Sequence, residues 1–155
     1  MSDNERRGEF VPDDFAVPLE LVTGAFRLEP LGPQHNEGDY RAWMSSIEHI
    51  RSTPGFAGRS WPRPEMTPEE NLGDLRRHAE DFAERRGFTY TVLDPASGDV
   101  IGCVYIYPPR RSGYDVDVRS WVRADHAELD KPLHDLVCQW LAGAWPFQKP
   151  DYADR

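Results

Sequence analysis

The chain has 155 residues, a one-domain length that can bury a full hydrophobic core without disulfide or metal staples. Its formal net charge of −9 argues against nucleic acid or an anionic membrane as the main partner, because phosphate surfaces are bound by clustered Lys and Arg. No apolar run approaches the roughly 18 residues of a membrane span, and residues 1–20 lack the apolar segment of a signal peptide, so a cytoplasmic protein is expected.

Residues 1–20 are polar, acidic and interrupted by Pro12 and Pro18, and read as a flexible or draped arm ahead of a single domain over residues 21–155. Phe26-Arg27-Leu28-Glu29 alternates apolar and charged residues, the mark of a half-buried strand, and Gly32-Pro33 ends it. A helix follows from about residue 36, with Tyr40, Trp43, Met44, Ile47 and Ile50 on one apolar stripe suited to core packing. The segment from Ser52 to Pro64 holds three prolines and two glycines, too many helix breakers for a regular element. Phe56 and Trp61 within it are either anchors that pin the loop or a lid over a substrate.

Thr67, Pro68 and Glu70 spell a capping box with proline at the first helical position. Leu72, Leu75, Ala79 and Phe82 recur on one face of that helix, and Gly87 is expected to supply a left-handed cap at its end. Phe88 to Leu93 and Val100 to Tyr107, joined by DPASGD, read as a hairpin. Tyr105 and Tyr107 alternate with Val104 and Ile106, which places two phenols on one strand face, either looking into a cleft or packing on a helix.

Tyr114 to Val122 is the next strand, residues 123–131 a loop and residues 132–141 an amphipathic helix. Strand, loop and helix in that order make the place where an open sheet holds an anionic group, because the helix start offers free N–H donors. After Trp145 only PFQKPDYADR follows. Pro146 and Pro150 restrict any strand there, so Tyr152 is expected at a loose end, and the exposed sheet edge suggests a homodimer. The element order is β-α-α-β-β-β-α, an α/β fold with a mostly antiparallel sheet and a short C-terminal tail.

Cys103 and Cys138 form no CxxC spacing and read as core thiols. The five histidines share no short metal spacing, so no metal site is expected. Ser120, Asp125 and His126 supply hydrolase residue types, but the nucleophile-elbow pattern GxSxG is absent.

FRLEPLGPQH with its helix, then FTYTVLDPASGDVIGCVYIYP, then VDVRSWVRADH, resembles the first four strands of the GNAT acyl-CoA N-acetyltransferase superfamily, over roughly residues 26–141. The resemblance implies acetyl-CoA as co-substrate and an amine of a small molecule or peptide as acceptor. It also implies a fourth strand that offers backbone groups to the pantetheine arm near Trp121 and Val122, with Arg123 and Lys131 near the phosphates. Members often carry an acid on that strand, and the matching position is Asp117, which would take the amine's proton through a water. Tyr105, on the neighbouring strand, is the second catalytic candidate. In the other reading, Asp115 and Asp117 form only the solvent face of an antiparallel strand.

Two features depart from the family pattern. Ala124 to Lys131 has no glycine where the superfamily's diphosphate signature has them, and it carries Asp125, Glu128 and Asp130. A unit charge about 8 Å from a phosphate costs on the order of 1–2 kcal/mol at an effective dielectric near 20. The superfamily's fifth strand, the helix after it and two more strands have no counterpart in the short tail. Weak binding of acyl-CoA is therefore expected, with a catalytically silent binding or protein-interaction module of the same fold as the alternative.

Overall fold

The structure is a computed structural model and describes residues 9–155. Among these, one six-stranded sheet runs in sequence order: β1 (Leu21–Val22), β2 (Arg27–Pro30), β3 (Phe88–Leu93), β4 (Val100–Tyr107), β5 (Val116–Val122) and β6 (Pro150–Tyr152). Neighbours are antiparallel except β5 and β6, which are parallel. Four α-helices flank it: α1 (Asn36–Met44), α2 (Ile47–Ser52), α3 (Pro68–Ala83) and α4 (Asp130–Ala144). No helix among the described residues is long and apolar enough to cross a membrane.

Register decides what each face of the sheet carries. Cys103 pairs with Trp121, Tyr105 with Arg119 and Tyr107 with Asp117, so these side chains share one face. Val104, Ile106 and Val118 point the other way and pack with Leu133, Val137 and Leu141 of α4. On the first face Cys103 and Trp121 pack with Trp43, Ile50 and Leu75. Both faces are therefore covered, and Asp117 is only 7% exposed. It does not lie on a solvent face.

The capping box forms as expected. Thr67 Oγ1 accepts from Glu70 N at 3.1 Å and Glu70 Oε1 from Thr67 N at 2.9 Å. The end of α3 differs from expectation: Arg85, not Gly87, holds the left-handed conformation, with φ of 62°. Its guanidinium donates to Pro12 O at 2.8 Å and Phe15 O at 2.9 Å, tying the N-terminal segment down. Gly87 serves a different purpose, since a Cβ there would overlap the Tyr107 ring.

The single helix expected from residue 36 is two, broken at Ser45–Ser46. Ser45 Oγ donates back to Ala42 O at 2.9 Å, and Ser46 Oγ accepts from Ala124 N at 2.8 Å. Short hydroxyl side chains compete with the helical ladder in this way.

Part of the arm expected over residues 1–20 falls outside the described residues. Of the rest, Val11 is buried, Phe10 stacks on Phe88 and Phe147 at 5.8 and 5.3 Å, and Tyr90 O–H donates to Pro18 O at 2.6 Å. This part is draped on the core.

The tail after Trp145 is not a loose end. Pro150, Asp151 and Tyr152 pair with Val116, Asp117 and Val118, and the Asp115 carboxylate accepts from Gln148 N and Lys149 N at 2.6 and 2.9 Å. Pro150 is tolerated because it opens an edge strand. Tyr152 shares a 2.5 Å hydrogen bond with Ser120 Oγ and packs on His134 with ring centroids 4.2 Å apart. β6 thus covers the β5 edge from Val116 to Val118. Cys138, expected in the core, is exposed on α4, whereas Cys103 is buried.

Candidate functional site

A cleft of about 420 Å³ opens between α3, the segment after α2 and the α1/α3 face of β4 and β5. Its strand wall is Tyr105, Tyr107 and Arg119, which the register places side by side. The loop wall is Phe56 and Trp61. Trp61 packs on Trp43 at 5.7 Å, Phe56 at 6.0 Å and Trp121 at 6.2 Å, so the two aromatics both anchor the loop and line the cleft. The helix wall is Asp74, His78 and Asp81, spaced so that they share one side of α3. Asp39, from α1, lies at the base.

Asp39 is 4% exposed and accepts from Asn71 Nδ2 at 3.1 Å. Burial dominates that hydrogen bond and raises its carboxyl to about 6. His78 Nδ1 lies 2.9 Å from Tyr107 Oη and 3.0 Å from Thr89 Oγ1, while Tyr107 O–H donates to Asp81 Oδ2 at 3.0 Å. A phenol that gives its proton to Asp81 can accept one from His78, which assigns the Nδ1–H tautomer and leaves Nε2 with the lone pair. Burial, then the neighbouring Arg77, lowers the His78 pKa and keeps the ring neutral. Tyr105 Oη accepts from Trp121 Nε1 at 3.0 Å, and burial pushes its phenol well up, so it stays protonated.

The residues singled out from sequence divide. Tyr105 lines the cleft. Asp117 does not: its Oδ2 lies 3.3 Å from Arg119 Nε, and Arg119 is the member of that pair that reaches the cleft. Trp121 and Val122 are both fully buried, Trp121 toward the cleft side and Val122 toward α4, so their side chains cannot flank one group together. Their shared asset is backbone. Arg123 N bonds back to Ile101 O of β4, whereas Ser120 O faces the other edge and takes the Arg155 guanidinium at 2.9 Å. By alternation Val122 faces that same open edge. Arg123 is held by Asp125 through two hydrogen bonds of 3.0 and 2.6 Å, and Lys131 by Asp135 at 2.9 Å.

The segment after β5 forms a 3₁₀ turn, Ala124–Leu129, that runs into α4. Ala124 N–H is given to Ser46 Oγ, His126 N–H to Arg123 O and Asp130 N–H to Ala127 O. These three amides are spent within the chain. The opening between β5 and the end of β6 is bridged by Arg155, whose Nε donates to Asp130 Oδ2 at 2.6 Å. The β5 edge beyond Val118, with backbone groups of Ser120 and Val122, does suit an extended arm bearing amides. Ser120 Oγ is bonded to Tyr152 and Arg155, while His126 contacts Asp125, so no hydrolase triad assembles. No group of three or more His, Cys, Asp or Glu side chains among the described residues is arranged to hold a metal ion.

Asp39, His78 and Arg119 were missed by sequence reasoning, though a signal existed. Asn71 and His78 fall on the same face of α3 as Leu75 and Phe82, and Asp39 falls one turn before Trp43. Polar residues at core-facing positions mark such sites.

No family model and no curated protein sequence matches the chain. Solved structures do match. The ribosomal-protein-S5-alanine acetyltransferase from Vibrio fischeri superposes with a TM-score of 0.59 at 13% identity, over 80% of this chain and 67% of that one. RimL, a ribosomal L7/L12 alpha-N-protein acetyltransferase solved with coenzyme A, gives 0.61 at 10% identity, over 81% and 69%. MccE, a microcin C7 self-immunity acetyltransferase solved with acetyl-CoA and AMP, gives 0.56 at 12%, over 83% and 71%. The chain has the GNAT fold.

Proposed function

We propose that this GNAT-fold chain is an acyl-CoA-dependent N-acetyltransferase whose acceptor, an amine of a small molecule or peptide, enters the cleft between α3 and the β4–β5 face. The observation that carries this reading is the cleft itself: a concave pocket on the β4–β5 sheet face, with Asp39 and His78 as buried groups able to take a proton. The solved acetyltransferases of the same fold support it.

A bound acetyl-CoA would supply the acetyl thioester, with its arm held on the β5 edge near Trp121 and Val122 and its phosphates toward Arg123 and Lys131. The chain's own residues do the rest. The acceptor must lose a proton to attack, and Asp39, poised at about 6, is a base matched to neutral pH. His78, kept neutral and oriented by Tyr107, is a second acceptor within the same cleft. Tyr105, protonated and fixed by Trp121, is the donor toward the departing sulfur. Asp117 acts through Arg119, one side chain behind the cleft wall. Phe56 and Trp61 exclude water from the loop side.

A second reading, a binding module that keeps the cleft but no donor site, is favoured by Arg155 and Ser46, which occupy groups that a cofactor would use. Calorimetric titration with acetyl-CoA, with a desulfo analogue as control, separates the two. A micromolar dissociation constant, about −8 kcal/mol, supports the enzyme, and an amine screen follows. No heat and no thermal shift at millimolar ligand retires it.

A further inference from the structure

We infer that the acceptor amine carries an anionic group, a carboxylate or a phosphate, held by Arg59 and Arg119 against the aromatic loop wall of the cleft. This rests on the reading of the cleft as the acceptor site.

The cleft is polar in the electrical sense. Asp39, Asp74 and Asp81 lie on its helix side, whereas Arg59 and Arg119 lie on its loop and strand side. On the helix side Arg77 is already paired with Asp74 at 2.7 Å. On the other side the charges do not balance. Arg59 is close enough to Arg119 and Arg110 for their charges to depress its pKa after burial, and the carboxylate credited against them is Asp117. Of the cleft's lining residues, that side carries two guanidiniums, and the carboxylate near them, Asp117, lies behind the wall 3.3 Å from Arg119 Nε.

The Arg119 head group is also incompletely bonded. Its guanidinium carbon lies 5.6 Å from the Phe56 ring centroid and 5.7 Å from that of Tyr105, within cation–π range of both. Its buried Nε has no hydrogen-bond partner among the described residues, because the Asp117 carboxylate is near it without hydrogen-bonding geometry. A planar fork seated between two aromatic rings, with a second guanidinium lining the same cleft, matches the oxygens of a carboxylate or phosphate. A purely apolar amine would leave the buried Arg119 Nε without an acceptor. With the anion on Arg59 and Arg119, the amine end points toward Asp39 and His78.

The test uses matched amines on the full chain: phosphoethanolamine against ethanolamine, and β-alanine against propylamine. Binding is read from tryptophan fluorescence without acetyl-CoA, since Trp61 lines the cleft, and acetyl transfer is read separately with acetyl-CoA present. At least one anionic member is expected to bind about ten- to a hundredfold tighter than its neutral partner. The two pairs tell phosphate from carboxylate. Arg119→Gln and Arg59→Gln, checked for folding by thermal melts, are each expected to remove most of that difference.

Equal affinities within both pairs, no binding of any probe at millimolar concentration, or a preference that survives both substitutions overturns the inference. The wild-type comparison needs no variant. Selective binding of the anionic amines without transfer to any amine sinks the acetyltransferase reading and leaves the anion site standing. Transfer that favours the neutral amines does the reverse.

Discussion

Asn71 Nδ2 donates a 3.1 Å hydrogen bond to Asp39 Oδ2 at the base of the cleft, and this bond does not offset the burial of the carboxylate, whose pKa is raised to about 6. The native protein therefore holds this proton between the ordinary carboxylate value of 3.8 and about 6, where the unfolded chain has lost it. Stability falls as pH rises through that window, by on the order of 2–3 kcal/mol. Asp39→Asn, neutral at every pH and still able to accept from Asn71, is expected to be more stable than wild type by about that amount at pH 8, and no more stable at pH 4. Urea unfolding at the two pH values measures this. A variant no more stable at pH 8 shows that the carboxylate is solvated in the native state.

His78 titrates in the opposite sense. Its folded pKa is depressed, so the unfolded chain binds the proton first, and stability is lost as pH falls below the ordinary imidazole value of about 6.5. Proton NMR is expected to show the His78 ring still neutral where exposed imidazoles are half charged. Tyr107→Phe, which removes the phenol between His78 and Asp81, should cost about 1–3 kcal/mol, because it leaves polar groups of the network without a partner. If His78 titrates normally in wild type, the relay is not formed.

Gly102 pairs with Val122 where β4 meets β5, and a Cβ there would overlap the Trp121 carbonyl oxygen. That atom belongs to the backbone and cannot rotate away. Gly102→Ala should therefore destabilise the fold by about 1–3 kcal/mol and loosen the β5 edge. Chemical denaturation gives the cost. A variant as stable as wild type would mean that β5 shifts freely.

Asp115 holds β6 by two charge-assisted bonds to the amides of Gln148 and Lys149. Asp115→Ala should cost about 1–3 kcal/mol and release the Tyr152 amide to rapid hydrogen exchange, while the β3–β4 hairpin keeps its protection. Unchanged exchange at Tyr152 would place the hold on β6 in its other contacts, such as the Arg111–Asp151 pair.

The parts legible in the sequence are those whose cause is local. Thr67 and Glu70 sit three residues apart and close on each other, and the hairpin from Phe88 to Tyr107 carries its turn with it. The break between α1 and α2 has a distant cause, since Ser46 meets Ala124, as does β6, which needs Asp115 to receive it. Within the site, Tyr105 could be read from strand alternation. Alternation puts Asp117 and Arg119 on one face alike, and only their positions along the strand decide that Arg119 reaches the cleft. Asp39 and His78 were hidden because helix periodicity assigns their positions to the core and says nothing of a cavity left there.

The Arg155 bridge from Asp130 to Ser120 makes the β5 edge a contested surface. A ligand that lays its amides there binds only molecules in which the guanidinium has swung out, so its measured affinity is the intrinsic one scaled by the open fraction. With opening as a separate first step, the observed association rate levels off at high ligand concentration instead of climbing in proportion. A shallow titration would then report a gate that is mostly shut, which is a different thing from a surface that cannot hold the ligand.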